Sequence, residues 1–177
     1  MARDNVFEFD FSDFNEYFKL LDNIARKDFK EAVASWLEAS GFEFLSVVQD
    51  EIIRRRVVDT RLLLNSFQKG KDENIWETKD GGLTLIVGTN VEYAGYVNDG
   101  HWTCKKGEKS RWVPGEWNGN TFTYNPSAKT GMLLKQRYID GAHFWEAGIR
   151  IFERMFRISV ERKMEQWRNH YWRRGGR

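Results

Sequence analysis

The sequence predicts an α+β fold, with long helices at both ends of the chain and a small antiparallel sheet of three to four strands between them. Apolar residues recur at helical spacing before residue 56 and after residue 141, and short alternating apolar segments lie between. Helices grouped around a run of strands are typical of this class. The 177 residues are enough for a single domain, 1–177, with its own core.

The N-terminal helical part spans residues 12–56 and is predicted to be one long helix or a helix pair. Asp13 and Glu16 have the spacing of a capping box. Gly41 is predicted to be a C-cap or a kink. The apolar positions at helical spacing are Phe14, Tyr17, Phe18, Leu21, Ile24, Phe29, Val33, Trp36, Leu37, Leu45, Val48 and Ile52.

The sheet core is predicted within residues 57–100, with strands over 62–69, 75–79 and 83–87. The turn at 80–82 contains two glycines. Residues 83–87 alternate as a half-buried strand does, and Leu85 is expected to face Trp76 across the hairpin. Residues 93–97 fit either one helical turn or a strand.

Residues 101–140 are predicted to be a long insertion that contains a small β-ribbon. Asn118-Gly119 is a two-residue hairpin signal between two apolar segments. A disordered linker does not normally carry three tryptophans. We therefore expect the insertion to contact another protein through Trp102, Trp112, Trp117, Phe122 and Tyr124.

The C-terminal helix is predicted over residues 141–172, followed by a frayed tail at 173–177. Its apolar stripe is wider than one small sheet can cover, so part of it is expected at an interface, including Trp167, Tyr171 and Trp172. The stripe and its flank comprise Phe144, Trp145, Gly148, Ile149, Ile151, Phe152, Met155, Phe156, Ile158, Met164, Trp167 and Tyr171.

The ends of the chain carry opposite charge. Residues 1–53 hold five Lys or Arg and twelve Asp or Glu, a net charge of −7, whereas residues 134–177 hold eleven and five, a net charge of +6. Either an acidic surface meets a basic one, within the fold or between copies, or two helix faces are simply solvated. The sequence leaves both readings open.

No catalytic or metal site is predicted. His101 and Cys104 lack the second pair that a zinc site needs. Ser66 and Cys104 have no nucleophile motif around them, and the Gly-Gly at 81–82 lacks the Lys-Ser/Thr of a phosphate loop. We therefore expect no enzyme activity and no cofactor. A small nuclease remains an alternative that would need converging carboxylates.

The sequence shows no sign of a membrane span or a signal peptide. No apolar run is long enough for a membrane span, the first ten residues lack the apolar region of a signal peptide, and a lone cysteine fits a reducing cytoplasm.

The basic C-terminus with His170 and its aromatic neighbours suggests a basic nucleic-acid-binding accessory protein as the alternative function. The interspersed Glu161 and Glu165 weaken that reading.

Two segments carry a resemblance to a known family. Val58-Asp59-Thr60-Arg61-Leu62 and Val87-Gly88-Thr89-Asn90-Val91-Glu92-Tyr93-Ala94-Gly95-Tyr96-Val97-Asn98-Asp99-Gly100-His101 resemble motifs of the lambdoid-type phage minor tail-component proteins, with Arg61 in place of a usual glycine. The loop at 112–132 is similar to that of the Gram-positive prophage and contractile-tail branch. The motif positions given a structural role are Asp59, Thr60, Gly88, Asn90, Tyr93, Ala94 and Gly100.

The resemblance implies a virion structural protein at the neck or tail-completion position, either a tail terminator or a head–tail joining subunit. Such proteins form rings, often hexameric, and the implied partners are copies of the chain, tail-tube or sheath proteins and the head–tail connector. It implies no membrane partner, and no nucleic acid except DNA passing through the ring. The implied location is the virion, with assembly in the host cytoplasm.

Overall fold

The computed structural model describes residues 6–12, 23–58 and 61–172, with backbone alone at 23–25 and 171–172. The described chain is a mixed α+β fold, as the sequence predicts. It divides into two compact units, the first formed by Met1–Gly95 with His143–Arg177 and the second by Tyr96–Ala142. The predicted capping box at Asp13 and Glu16 lies outside the described residues.

The first unit contains a three-stranded antiparallel sheet and two long helices. Its strands have the order β1-β3-β2. The elements are β1 (Val6–Asp10), α1 (Asn23–Arg54), α2 (Leu62–Ser66), β2 (Asn74–Lys79), β3 (Thr84–Thr89), the start of α3 (Ala94–Asp99), and α4 (Phe144–Trp167), which continues into a π-helical segment, Arg168–Trp172.

Helix α1 is one continuous helix, so Gly41 neither caps nor ends it. Gly41 lies where the helix approaches the sheet most closely, because a Cβ at this position would stand 2.6 Å from Leu85 Cδ2 and 2.9 Å from Trp76 Cη2. The predicted core positions Phe29, Val33, Trp36, Leu37, Leu45, Val48 and Ile52 are all buried. The glycine therefore serves packing between the helix and the sheet.

The predicted strand over residues 62–69 is wrong, because the chain forms the short helix α2 there. Leu63 and Phe67 are buried four residues apart, which is helical spacing. The Ser66 hydroxyl donates to the Leu63 carbonyl at 2.8 Å, as serine does within helices. Apolar character alone did not distinguish a short buried helix from a strand.

The β2–β3 hairpin is confirmed, and its turn places Asp80, Gly81 and Gly82 at positive φ. Trp76 pairs with Val87, not with Leu85, which is two positions further along the same face. The prediction that this strand is half-buried is wrong, because all six residues of β3 are buried. The cause is β1, which sequence analysis missed and which makes β3 the central strand.

Helix α4 packs antiparallel to α1, with aromatic rings between them and the sheet. Phe44 meets Phe152 at 5.2 Å between ring centroids, and Trp36 stacks on Phe156 at 5.1 Å. From β1, Phe9 contacts Phe152 at 5.4 Å. Much of the predicted stripe is thus covered within the subunit, and its exposed members are Ile151, Met155, Ile158 and Met164.

The second unit consists of two small antiparallel sheets that follow α3. The uncertain segment at residues 93–97 is mainly helical. The strands are β4 (Gly100–Trp102), β5 (Ser110–Asn118), β6 (Thr121–Tyr124), β7 (Gly131–Lys135) and β8 (Tyr138–Asp140), with β4 paired to β8 and the order β6-β5-β7. The predicted hairpin is confirmed, but Asn118 pairs with Thr121, so the two turn residues are Gly119 and Asn120.

Candidate functional site and interaction surfaces

The second motif segment ties β3 to helix α2. The Thr89 hydroxyl donates to the Ser66 hydroxyl at 2.7 Å and accepts from the Val91 amide at 3.1 Å. The Tyr93 hydroxyl accepts from the Leu63 amide at 3.2 Å, which satisfies a donor in the first turn of α2. These bonds give the segment a structural role. The first motif's Asp59 and Thr60 lie outside the described residues.

The other motif positions also serve backbone geometry. Gly88 lies near the end of buried β3, where it pairs with Val6 on one side and Ile75 on the other. Ala94 is fully buried, and the Asn90 amide donates to the Glu73 carbonyl at 2.8 Å. Gly100 has φ +82°, and a Cβ there would lie 2.5 Å from the Ile139 carbonyl oxygen. None of these contacts forms a chemical site.

The second unit presents large aromatic side chains on both faces of the β6-β5-β7 sheet. Trp112 pairs with Leu133 on one face, where they are 58 % and 61 % exposed. Trp117 pairs with Phe122 on the other, and their rings meet edge to face at 5.2 Å. Tyr124, on the same face as Trp117, is 64 % exposed. These five residues are hereafter called the ribbon surface.

Trp102 lies on the smaller β4–β8 sheet of the same unit. Its ring contacts Tyr138 edge to face at 5.3 Å between centroids, and both side chains are exposed. Trp102, Trp112 and Trp117, the three tryptophans expected to be exposed in the insertion, are therefore all accessible in the single chain. Large exposed aromatic side chains are enriched at protein interfaces.

Trp167 is a core residue, which corrects its prediction as an interface residue. Its indole packs edge to face on Phe29 at 5.2 Å and on Trp36 at 5.6 Å, and it is 7 % exposed. The helical spacing that brought it into the stripe also brings it against α1. The side chains of Tyr171 and Trp172, predicted beside it, lie outside the described part.

A basic cleft, which sequence analysis missed, lies where the end of α1 meets the start of α4. It has a volume of about 360 Å³ and is lined by Arg54, Arg55, Ala147, Arg150, Ile151 and Arg154. The sequence did contain a signal for this cleft, because arginines follow one another at the end of α1 and Arg150 and Arg154 lie four residues apart on α4. Their proximity depends on antiparallel packing of α1 and α4, which the sequence did not specify.

No catalytic arrangement is present around the residues considered for chemistry. The Cys104 thiol is buried and donates to the Leu134 carbonyl at 3.3 Å. His101 Nδ1 lies 3.4 Å from the Tyr96 carbonyl oxygen. Within residues 6–12, 23–58 and 61–172, no three His, Cys, Asp or Glu side chains are grouped as metal ligands. Among those residues, no helix is long and apolar enough to span a membrane.

Comparison with known proteins identifies the family. Residues 18–100 match the bacteriophage HK97 gp10-like tail-component family. The uncharacterized protein YqbI of Bacillus subtilis (strain 168) is 51 % identical over 156 residues, covering 86 % of this chain and 93 % of YqbI. The phage-like element PBSX protein XkdI of the same strain is 44 % identical over 147 residues, covering 83 % and 90 %. No solved structure matches the chain.

The chain therefore belongs to the HK97 gp10-like family of phage tail components, which confirms the resemblance seen in its two motifs. Its function is a structural role in a phage tail, in association with other tail proteins, and its place is the virion.

Proposed function

We propose that this protein is a tail-completion or neck subunit that forms a closed ring, with six copies, at the end of a phage or phage-like tail. It acts there as a tail terminator or a head–tail joining protein, and its mechanism is assembly without catalysis. The observation that carries the proposal is the ribbon surface, whose tryptophans are more than half exposed in the single chain.

The ribbon surface is proposed to contact a different tail component, either tube, sheath or connector. Residues 96–142 hold seven Lys or Arg and four Asp or Glu, a net charge of +3. The unit that carries the exposed aromatics is thus net basic, which favours a partner that combines an apolar patch with acidic groups. Trp112 and Trp117 are the candidate anchors, because buried tryptophans dominate binding energy in interfaces.

Copies of the chain are proposed to join through the outer faces of the helices, the acidic face of α1 meeting the basic face of α4. Asp28 and Glu31 are exposed on α1, and Arg150 and Arg154 are exposed on α4. A contact between two different surfaces of identical subunits is heterologous, and it produces a ring when the rotation closes. The exposed apolar residues of α4 lie on its flank and would add burial to such a contact.

Electron microscopy of the purified chain mixed with tail-tube protein tests the proposal. We expect rings at tube ends, and we expect the W112A/W117A variant to bind tubes at least about tenfold more weakly. Its matched control is Y96A, because Tyr96 is 63 % exposed in the same unit but lies outside the ribbon surface. Unchanged tube binding by W112A/W117A would remove the ribbon surface from the interface.

A DNA-binding assay at increasing salt separates the proposal from the alternative. A nucleic-acid-binding accessory protein would bind DNA with a steep salt dependence in the absence of other tail proteins. Strong salt-dependent binding without ring formation would favour that alternative over tail completion.

A further inference from the structure

The basic cleft is lined by four arginines, and no acidic residue is among its lining residues. Arg54 and Arg55 come from the last turn of α1 and its C-terminal neighbour, and Arg150 and Arg154 lie one turn apart on α4. Ala147 and Ile151 form an apolar floor between them. Such a cleft suits a ligand with acidic groups carried on a partly apolar support.

Three of the four arginines are already hydrogen-bonded within the subunit before any ligand arrives. The buried Glu51 carboxylate accepts from Arg54 Nε at 2.9 Å and Nη2 at 2.6 Å, and from Arg55 Nε at 3.1 Å. Arg150 Nε donates to the Glu146 carbonyl at 3.2 Å. Side chains that are already ordered lose less entropy on binding. Among the described residues, Arg154 has no hydrogen bond or ion pair, so its donors remain available.

Helix electrostatics explain only half of this arrangement. Arginines at the end of α1 are favoured by the negative C-terminal end of the helix dipole. Arg150 and Arg154 lie in the N-terminal half of α4, where the helix dipole gives a cation no advantage. The helix dipole therefore does not account for the placement of these two arginines opposite the α1 arginines, and the arrangement is compatible with binding of an anionic group.

We propose that the basic cleft receives the carboxylates of Asp28 and Glu31 from α1 of a second copy of this chain. This inference rests on the proposed ring and names the side chains that close it. The two acids lie three residues apart, one helical turn, and therefore share a face, as do Arg150 and Arg154. Bidentate pairing of arginine with carboxylate gives such a contact its geometry.

The positions of the acids favour a neighbouring copy over the same subunit. Asp28 and Arg54 are separated by 26 residues of continuous helix, which places them about 39 Å apart. The cleft and the acids therefore lie at opposite ends of α1, as a head-to-tail contact requires. The ion pair of Glu31 with Lys27 does not compete strongly with the proposed contact, because Lys27 Nζ lies 3.9 Å from Glu31 Oε1 and both side chains are mostly exposed.

Charge reversal tests the inference by sedimentation velocity at low and high salt, with and without tail-tube protein. We expect R154E to weaken self-association at least about tenfold, because it replaces an attraction by a repulsion. D28R/E31R should weaken it similarly, and mixing the two variants should restore assembly. The matched control is R157E, because Arg157 is exposed on the same helix but does not line the cleft.

The possible outcomes distinguish failure of the cleft inference from failure of the proposed ring. Rings that form equally well with R154E would overturn the inference and leave the proposed function standing. Absence of any self-association by the wild type, even beside tube ends, would overturn both. If R154E associates normally but loses affinity for duplex DNA, the cleft is a phosphate site and the inference is wrong. Circular dichroism of each variant verifies that it has folded.

Discussion

Gly41 lies at the closest approach of helix α1 to the sheet, and we predict that replacing it with alanine destabilises the protein. A gain in stability would contradict the packing role given to this glycine. In G41A the new Cβ would lie 2.6 Å from Leu85 Cδ2 and 2.9 Å from Trp76 Cη2, whereas carbon atoms in contact normally stand about 3.5–4.0 Å apart. Overpacking of this kind costs about 1–3 kcal/mol. Alanine gains about 1 kcal/mol over glycine in a helix, so we expect a net loss of roughly 1 kcal/mol.

The assay is urea unfolding followed by tryptophan fluorescence, with A39G as the matched control. Ala39 is exposed two positions away in the same helix, so A39G isolates helix propensity and should lose about 1 kcal/mol. The packing cost at Gly41 is then the loss in G41A plus the loss in A39G. Should G41A be more stable than wild type by the amount that A39G is less stable, the packing argument is refuted.

Three further predictions concern buried polar groups and backbone geometry. Hydrogen bonding from Arg54 lowers the pKa of Glu51 below its ordinary 4.5, so E51Q should be less stable than wild type at neutral pH, and thermal melts should show the difference shrinking as the pH falls below that value. T89V leaves the Val91 amide without its acceptor and should cost about 1–3 kcal/mol in urea unfolding, while equal stability would contradict the network. G100A meets both a positive φ and a carbonyl oxygen at 2.5 Å, so hydrogen exchange should show loosened β4–β8 pairing, and unchanged protection would count against strain there.

Much of the fold could be predicted because long periodic segments carry their own signal. Helices α1 and α4, the β2–β3 hairpin and the ribbon turn each follow from spacing that local sequence specifies. Strand β1 was missed although Phe7 and Phe9 alternate with Glu8, because so short a segment near the chain start has no turn signal to frame it. Because β1 was not predicted, β3 was wrongly predicted to be half-buried.

The candidate site was predictable in one unit and not in the other. Trp117 lies two residues before a recognisable hairpin turn, and Trp112 lies on the same predicted ribbon, so their exposure could be expected from local pattern. The basic cleft joins Arg54 to Arg150 across 96 positions of the sequence, and only helix packing brings them together. Long-range proximity of this kind is a property of the tertiary structure, which a single sequence does not display.

The aromatic residues of this chain divide according to their periodicity, and the division bears on assembly. Those at helical spacing, such as Phe44 and Phe152, meet inside the first unit, whereas Trp112 and Trp117 are five positions apart on one strand and so point to opposite faces. One flat partner can cover only one face of a sheet. The tail component proposed to bind the ribbon surface must therefore enclose both faces of the ribbon if it is to bury both tryptophans.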